Sequence, residues 1–141
     1  MRLYLDSNVL IACLRKEVDR SFRLLYVESE DFFSCCKNKG IELVVSRHFL
    51  GEVEKTIFIK EKEVEEFFET YSIKTVFVES AEKQKSIWVM RETGIHFMDA
   101  VHVATAVEQH CDAVITFNKK DFEKAQELVP CFTPSEFRTN A

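Results

Sequence analysis

Four acidic side chains stand where apolar stretches of the sequence end or where helical patterns begin. Asp6 ends an apolar run at residues 2–6, and a second apolar run at helical spacing follows it at once. Glu52 and Asp99 lie near the starts of two later helical patterns, and Asp121 lies in a polar loop after an apolar run. Carboxylates brought together at one place repel one another unless they are protonated or share a cation. Oxygen ligands of this kind favour Mg²⁺ or Mn²⁺ over Zn²⁺.

Shared carboxylates of this type are suited to one kind of chemistry. A divalent ion held by them lowers the pKa of water and neutralises charge on a phosphodiester during in-line displacement. The sequence contains no Ser/His/Asp or Cys/His nucleophile pattern, no Walker loop and no GxGxxG loop. Metal-assisted hydrolysis of a phosphodiester is therefore the reaction that these residue types can perform.

Strand and helix patterns alternate along the chain, which predicts an α/β domain. We expect a three-layer α/β/α sandwich around a central, mostly parallel sheet of four or five strands. Because crossovers in such a sheet are right-handed, the carboxyl ends of the strands meet at one edge, where ligands bind. Strands are predicted at residues 2–6, 41–46, 73–78, 111–116 and, at an edge, 130–132. Helices are predicted at residues 7–16, 20–38, 46–57, 61–71, 79–92, 95–107 and 121–128.

Helical spacing gives the acidic residues different surroundings. In the helix that Ser46 caps, Glu52 borders the buried face, whereas Glu54 points to solvent. Each acid also has a plainer interpretation: Glu52 as an i,i+3 partner of Lys55, and Asp99 as a charge at a helix N-terminus. His102 is interpreted as a packed or surface histidine.

Two aromatic residues are expected to be buried on the basis of helical spacing alone. Phe22 falls on the apolar stripe of the helix predicted at residues 20–38, and Trp88 falls on that of the helix at 79–92. A single tryptophan on an apolar face usually belongs to the core, although stacking on a nucleobase is the alternative.

Bulk composition limits the classes of protein to consider. A chain of 141 residues predicts one domain spanning residues 1–141, with a frayed tail after residues 134–137. The net charge of -5 argues against tight, non-specific nucleic-acid binding through a large basic surface. No apolar run approaches the roughly 20 residues that span a bilayer, and Asp6 interrupts the only N-terminal candidate for a signal peptide. An odd number of cysteines, five, predicts reduced thiols in a cytoplasmic protein.

Four ordered motifs resemble the PIN domain. They read strand-Asp6-Ser7-Asn8, Ser46-x5-Glu52, Asp99-Ala100-x3-Ala104-Thr105-Ala106 and Ile115-Thr116-Phe117-Asn118-x2-Asp121-Phe122. The resemblance covers almost the whole chain and implies a compact α/β/α nuclease fold with Mg²⁺- or Mn²⁺-dependent cleavage of single-stranded RNA. Many small members are ribonuclease toxins of the VapC type, which are homodimers held inactive by an antitoxin.

The resemblance assigns roles by position. Asp6, Glu52 and Asp99 match the three core acidic residues, which are predicted to hold the metal and to be catalytic. Asn8 and Thr116 match polar residues that orient ligands or water.

The fourth acidic position departs from the commonest form of the family. Many members carry Asp two residues after the threonine, where this chain has Asn118, whereas Asp121 matches the acid of members with this loop form. We predict that Asp121 completes the metal site, directly or through water, with Asn118 as a neutral ligand or hydrogen-bond donor. This departure implies one well-held ion and a second that binds only with substrate.

Three basic residues are predicted near the same edge. Arg47, Lys119 and Lys120 are candidates for contacts with substrate phosphates, and solvated surface charge is the alternative.

Two other functions are compatible with parts of the pattern. A PIN-like RNA-binding or assembly module without activity would be consistent with Asn118, but the complete set of Asp6, Glu52 and Asp99 argues against it. A phosphotransfer domain phosphorylated on Asp6 needs a second acid nearby, and two residues on, the chain has Asn8.

Overall fold

Strands and helices alternate along the chain as the sequence predicts. The computed structural model describes the backbone of residues 1–140 and the side chains of residues 1–138. The strands are β1 (Arg2–Leu5), β2 (Glu42–Ser46), β3 (Lys74–Val78), β4 (Ala113–Ile115) and β5 (Cys131–Phe132). The helices are α1 (Ser7–Leu14), α2 (Leu25–Lys39), α3 (Arg47–Ile57), α4 (Glu61–Thr70), α5 (Lys83–Thr93), α6 (Phe97–Glu108), α7 (Lys119–Phe122) and α8 (Pro134–Asn140), with a 3-10 turn at Glu123–Ala125.

The five strands form one parallel sheet in the order β3-β2-β1-β4-β5. This confirms the predicted α/β class and the fifth, edge strand. β1 pairs with β2 on one side and with β4 on the other, so it is the central strand. Asp6 follows β1 directly, and it therefore lies at the carboxyl edge in the middle of the sheet.

Alternate side chains of the strands enter two separate apolar clusters, because successive residues of a strand point to opposite faces. Leu3 and Leu5 belong to the cluster that α1, α2, α3, α4 and α8 cover. Tyr4 and Val44 belong to the cluster on the other face, which α5, α6 and α7 cover. Helices on both faces give the three layers that the sequence predicts.

Ser46 determines where α3 begins. Its Oγ accepts a hydrogen bond from the Phe49 backbone N–H at 3.1 Å, as expected of a helix N-cap. The buried face of α3 then contains Phe49 and Val53, while Glu52 is half-buried and Glu54 is exposed. The predicted difference between the two glutamates is confirmed.

The predicted start of α2 is wrong. Residues 20–24 form a loop that Asp19 stabilises by accepting hydrogen bonds from two backbone N–H groups at 2.8 and 2.9 Å, and a bridge joins Val18 to Leu24. Phe22 is therefore 85% exposed instead of buried, and its φ of 62° lies in the left-handed region. The aromatic residue continued the helical spacing by coincidence.

Two further predictions are corrected on the side of α5 and α6. Trp88 is 54% exposed, because α5 turns Val89 and Ser86 towards the sheet instead. The helix predicted at residues 121–128 is shorter and earlier, since α7 begins at Lys119 and passes into the 3-10 turn.

The residues just before the predicted tail begin the last helix, α8, and Arg138, the first residue of that tail, pairs with Asp31. α8 packs on α2, and the buried Phe137 ring lies 5.8 Å from the Phe32 ring. The rest of the predicted tail, from residue 139, lies outside the residues with described side chains.

All five cysteines are free. No helix within residues 1–140 has the length and apolar character needed to cross a membrane.

Candidate active site

Asp6 is a buried carboxylate at the junction of β1 and α1, with 5% of its surface exposed. The Thr116 hydroxyl donates a hydrogen bond of 2.7 Å to its Oδ2. Its Oδ1 lies 3.6 Å from Nε2 of His102 and 3.5 Å from the Ser7 hydroxyl. A buried carboxylate is costly unless it is compensated, and these groups compensate it on both oxygens.

Thr116 connects three loops beside Asp6. Its Oγ1 accepts hydrogen bonds from the Asn8 side chain at 3.2 Å and from the Asn118 backbone N–H at 2.9 Å while it donates to Asp6. The side-chain oxygen of Asn8, Oδ1, in turn accepts a hydrogen bond of 3.2 Å from the Phe117 backbone N–H. The loop after β4 is thereby fixed against the start of α1, with Asn8 and Thr116 in contact beside Asp6.

Glu52 reaches the same edge from α3. Its Oε1 accepts a 2.7 Å hydrogen bond from the Ser7 hydroxyl and lies 2.7 Å from Nε2 of His102. Its Oε2 lies 3.5 Å from Nε2 of His48. Partial burial raises the pKa of Glu52, but the hydrogen bonds from His102 and Ser7 and the nearby histidines outweigh it and lower that pKa. Glu52 and Asp6 are therefore linked through two shared partners, Ser7 and His102.

His102 occupies the centre of the cluster and was missed by the sequence analysis. It is 1% exposed, and its Nδ1 lies 2.5 Å from the Tyr4 hydroxyl. Burial lowers the pKa of His102, but the hydrogen bond with Glu52 and the charges of Asp6, Glu52 and Asp99 outweigh it, so that pKa is raised. The interpretation of His102 as only a packed or surface histidine is wrong, because its ring contacts Glu52 and Asp6. The available signal was its position three residues after Asp99, which places both on one helix face.

Asp99 enters the cluster from the first turn of α6. Its side chain is half-buried, and its pKa is raised to about 6. Burial is the main cause, and the charges of Asp6, Asp121 and Glu52 raise the pKa further against the opposing effect of His102. These acids are thus close enough to interact, and their mutual repulsion is a feature that a divalent cation would relieve.

Asp121 and Asn118 lie together at the start of α7. The Asn118 side-chain amide donates a 2.8 Å hydrogen bond to Oδ2 of Asp121. Asp121 also raises the pKa of Asp99, so it belongs to the same electrostatic cluster. Asn118 therefore acts as a hydrogen-bond donor to Asp121 in this structure.

Two of the three predicted phosphate-binding cations are paired with acids. Arg47 forms ion pairs with Glu61 and Glu79, and Nζ of Lys119 lies 2.5 Å from Glu136. Lys120 is exposed. A role in phosphate binding stays a prediction for all three.

An open cleft of about 680 Å³ adjoins Glu52. The residues that line it come mainly from α3, and they are Ser7, Arg47, His48, Gly51, Glu52, Lys55, Thr56 and Met98. The cleft gives a ligand access to the Glu52 carboxylate from solvent.

The repulsion felt by Asp99 predicts an unusual stability effect in metal-free protein. A carboxyl whose folded-state pKa of about 6 exceeds its ordinary 3.8 binds its proton more tightly when folded, so ionisation costs stability as pH rises from about 4 through 6. We expect Asp99→Asn to raise the free energy of unfolding by about 1 kcal/mol at pH 7.5, after allowance for its partial exposure, and by little at pH 4. Urea unfolding in EDTA at both pH values measures this. A loss at pH 7.5 would identify Asp99 as chiefly a helix-capping residue.

Comparison with solved structures finds the same fold in distant proteins. A toxin-antitoxin complex from Klebsiella pneumoniae aligns with a TM-score of 0.64 at 19% identity, over 94% of this chain and 97% of that one. VapBC2 from Rickettsia felis, solved with a DNA fragment from its promoter, aligns with a TM-score of 0.60 at 15% identity, over 94% and 98%. PAE2754 from Pyrobaculum aerophilum aligns with a TM-score of 0.60 at 12% identity, over 99% and 88%.

Sequence comparison identifies the family. No curated protein sequence matches the chain significantly. The family model described as the PIN domain matches residues 3–128, which include all four predicted acidic positions. Over nearly its whole length, therefore, this chain belongs to the PIN-domain family.

Proposed function

We propose that this protein is a ribonuclease that hydrolyses single-stranded RNA with Mg²⁺ or Mn²⁺ held by Asp6, Glu52 and Asp99. PIN domains are generally nucleases. The observation that carries the proposal is the convergence of carboxylates from β1, α3 and α6 at one edge of the sheet, where Asp99 is repelled by both of the others.

The donor set fits a hard divalent ion. Asp6 and Asp99 supply carboxylate oxygens, and Glu52 supplies another beside the open cleft. Such an ion, when bound, supplies Lewis acidity to phosphodiester hydrolysis and offsets the charge of the reacting phosphate. Asp121 would complete the set, held in place by the amide of Asn118.

The remaining polar residues would keep these carboxylates in position. Thr116 fixes one oxygen of Asp6, and Ser7 fixes one oxygen of Glu52. Asn8 holds Thr116 and the Phe117 backbone, so the loop after β4 cannot move away from Asp6 without breaking both bonds. Rigid placement of this kind is what in-line chemistry at a phosphate requires.

The cleft beside Glu52 would receive the RNA strand. Arg47 and Lys55 both line this cleft. Lys119 and Lys120 are the first residues of α7, the helix that contains Asp121. A phosphate would have to compete with Glu61 for Arg47 and with Glu136 for Lys119, and exposed ion pairs of this type are weak enough to exchange.

The experiment compares cleavage of a panel of labelled single-stranded RNAs in Mn²⁺ and in EDTA. We expect cleavage in Mn²⁺ that EDTA abolishes, and a loss of about 10²-fold or more in Glu52→Gln. Glu54→Gln, an exposed glutamate on the same helix, is the matched control and should retain wild-type rates. Activity that survives EDTA would exclude the metal mechanism. If the protein binds RNA in the presence of the metal but cleaves none of the substrates, it is instead a binding module.

We also propose an antitoxin partner and a homodimer for this chain. The support for a partner is that two of the similar structures are toxin-antitoxin assemblies, one of them a VapBC pair. Light scattering of the purified protein, alone and co-expressed with the product of the adjacent gene, measures both; a monomer that copurifies with nothing would contradict them.

A further inference from the structure

Two histidines and Glu52 form a mixed nitrogen–oxygen cluster on the α3 side of the candidate active site. One ligand atom from each of His48, Glu52 and His102 lies within 4.8 Å of those of the other two. Nε2 of His102 is 2.7 Å from Glu52 Oε1, and Nε2 of His48 is 3.5 Å from Glu52 Oε2. His48 and Glu52 are four residues apart on α3, so the helix places both on one face.

His102 is held in the manner of a metal-binding histidine. Its Nδ1 lies at hydrogen-bond distance from the Tyr4 hydroxyl, which is itself 2.7 Å from the Ser46 hydroxyl. When Nδ1–H donates to Tyr4 and Tyr4 donates to Ser46, the lone pair of Nε2 faces the cluster. Metal-binding histidines commonly have the second ring nitrogen fixed by such a partner, which sets both tautomer and ring orientation.

Nε2 of His48 forms no hydrogen bond with any residue whose side chain the structure describes, although Glu52 Oε2 lies 3.5 Å away. This nitrogen is shielded from solvent. The ring also contacts the Met98 backbone through a hydrogen bond, and it lies 4.6 Å from the His102 ring, centroid to centroid. A buried polar atom left unpaired is unusual in a native structure, and its position beside Glu52 points to a ligand.

We propose that His48, Glu52 and His102 form a site for a borderline divalent ion, such as Zn²⁺ or Co²⁺, which shares Glu52 with the proposed Mg²⁺ or Mn²⁺ site of Asp6, Glu52 and Asp99. Two imidazoles and one carboxylate match the preference of these ions, whereas Mg²⁺ prefers oxygen alone. Three protein ligands leave further coordination positions open. His48 and Glu52 line the cleft, so those positions are accessible from it. The proposal of this site rests on these distances and does not depend on whether the chain cleaves RNA.

Co²⁺ is the probe that reports nitrogen ligation directly. The protein is stripped of metal with EDTA, dialysed and titrated with Co²⁺. At one equivalent we expect paramagnetically shifted histidine ring protons in the NMR spectrum and visible absorption. Zn²⁺ should displace the Co²⁺ and abolish both signals. We expect His48→Gln and His102→Gln to weaken Co²⁺ affinity by roughly 100-fold, and Tyr4→Phe to weaken it by about 10-fold. Calorimetry with Zn²⁺ measures the same losses without spectroscopy.

Two control variants and a folding check make the result decisive. His110→Gln removes an exposed histidine and should bind as the wild type does. Asp99→Asn removes a carboxylate that is not one of the three proposed ligands His48, Glu52 and His102. This variant should keep the shifted histidine signals even when Mn²⁺-dependent cleavage is lost. His102 is buried, so far-UV circular dichroism must first show that its variant folds; the partly exposed His48 provides the test that does not depend on it. Wild-type Co²⁺ binding in His48→Gln, or binding without shifted histidine protons, would overturn the proposal.

Discussion

Asp6→Asn should reduce RNA cleavage by about 10³-fold, which corresponds to roughly 4 kcal/mol of lost transition-state stabilisation. Asp6 is the most deeply buried of the predicted metal-binding acids, and it lies at the end of the central strand. The amide keeps the size of the side chain and an oxygen for the Thr116 hydroxyl, but it removes the negative charge that a divalent ion needs. Initial rates in saturating Mn²⁺ measure the effect.

A matched control separates loss of charge at the site from loss of charge in general. Asp31→Asn removes an exposed aspartate that pairs with Arg138 on the surface, and it should change the rate less than twofold. The free energy of unfolding of Asp6→Asn in EDTA should equal or exceed that of the wild type, because the acids around it repel one another. An Asp6→Asn protein that is stable and fully active would remove Asp6 from the mechanism.

Phe33→Ala should produce the largest loss of stability, about 3–5 kcal/mol. Phe33 is fully buried in the cluster between α2 and α4, and its ring lies 5.5–5.8 Å from the rings of Phe67, Phe68 and Tyr71. Truncation removes these aromatic contacts and leaves a cavity that surrounding helices fill only in part. Urea unfolding monitored by circular dichroism measures the change.

Phe58→Ala is the comparison for that prediction. Phe58 follows α3 and is 84% exposed, so its truncation should change stability by less than about 0.5 kcal/mol. Similar losses in the two variants would mean that the Phe33 cluster is loosely packed.

The alternation of strands and helices was predictable because each element has its own local period in the sequence. The strands that end near Asp6 and Thr116 are short apolar runs between helical patterns, and such runs in an α/β chain become parallel strands. The cap at Ser46 and the position of Glu52 beside the buried face were also predictable from the sequence. A helix cap and a three-residue spacing are both local features.

The errors arise where other contacts outweigh helical spacing. Phe22 continues a helical stripe, yet Asp19 and the bridge from Val18 to Leu24 close a loop there instead. Trp88 was assigned to the core by helical spacing, while the smaller Val89 fits between α5 and the sheet. Local competition of this kind is not visible in the periodicity of a single sequence.

His102 was missed for a different reason. On its own helix it is one polar residue among apolar neighbours, which is typical of a packed histidine. Its partners Tyr4 and Glu52 are 98 and 50 residues away in the chain. Only the crossing of α3 and α6 over the end of β1 brings the three together.

The central position of β1 has a consequence for biosynthesis. Asp6 is synthesised well before its partner, because its carboxylate acquires the Thr116 hydrogen bond only after 110 more residues have been made. β1 likewise lacks one of its two neighbours until β4 is complete. A partly translated chain therefore has no assembled carboxylate cluster until β4 and the loop that follows it have been made.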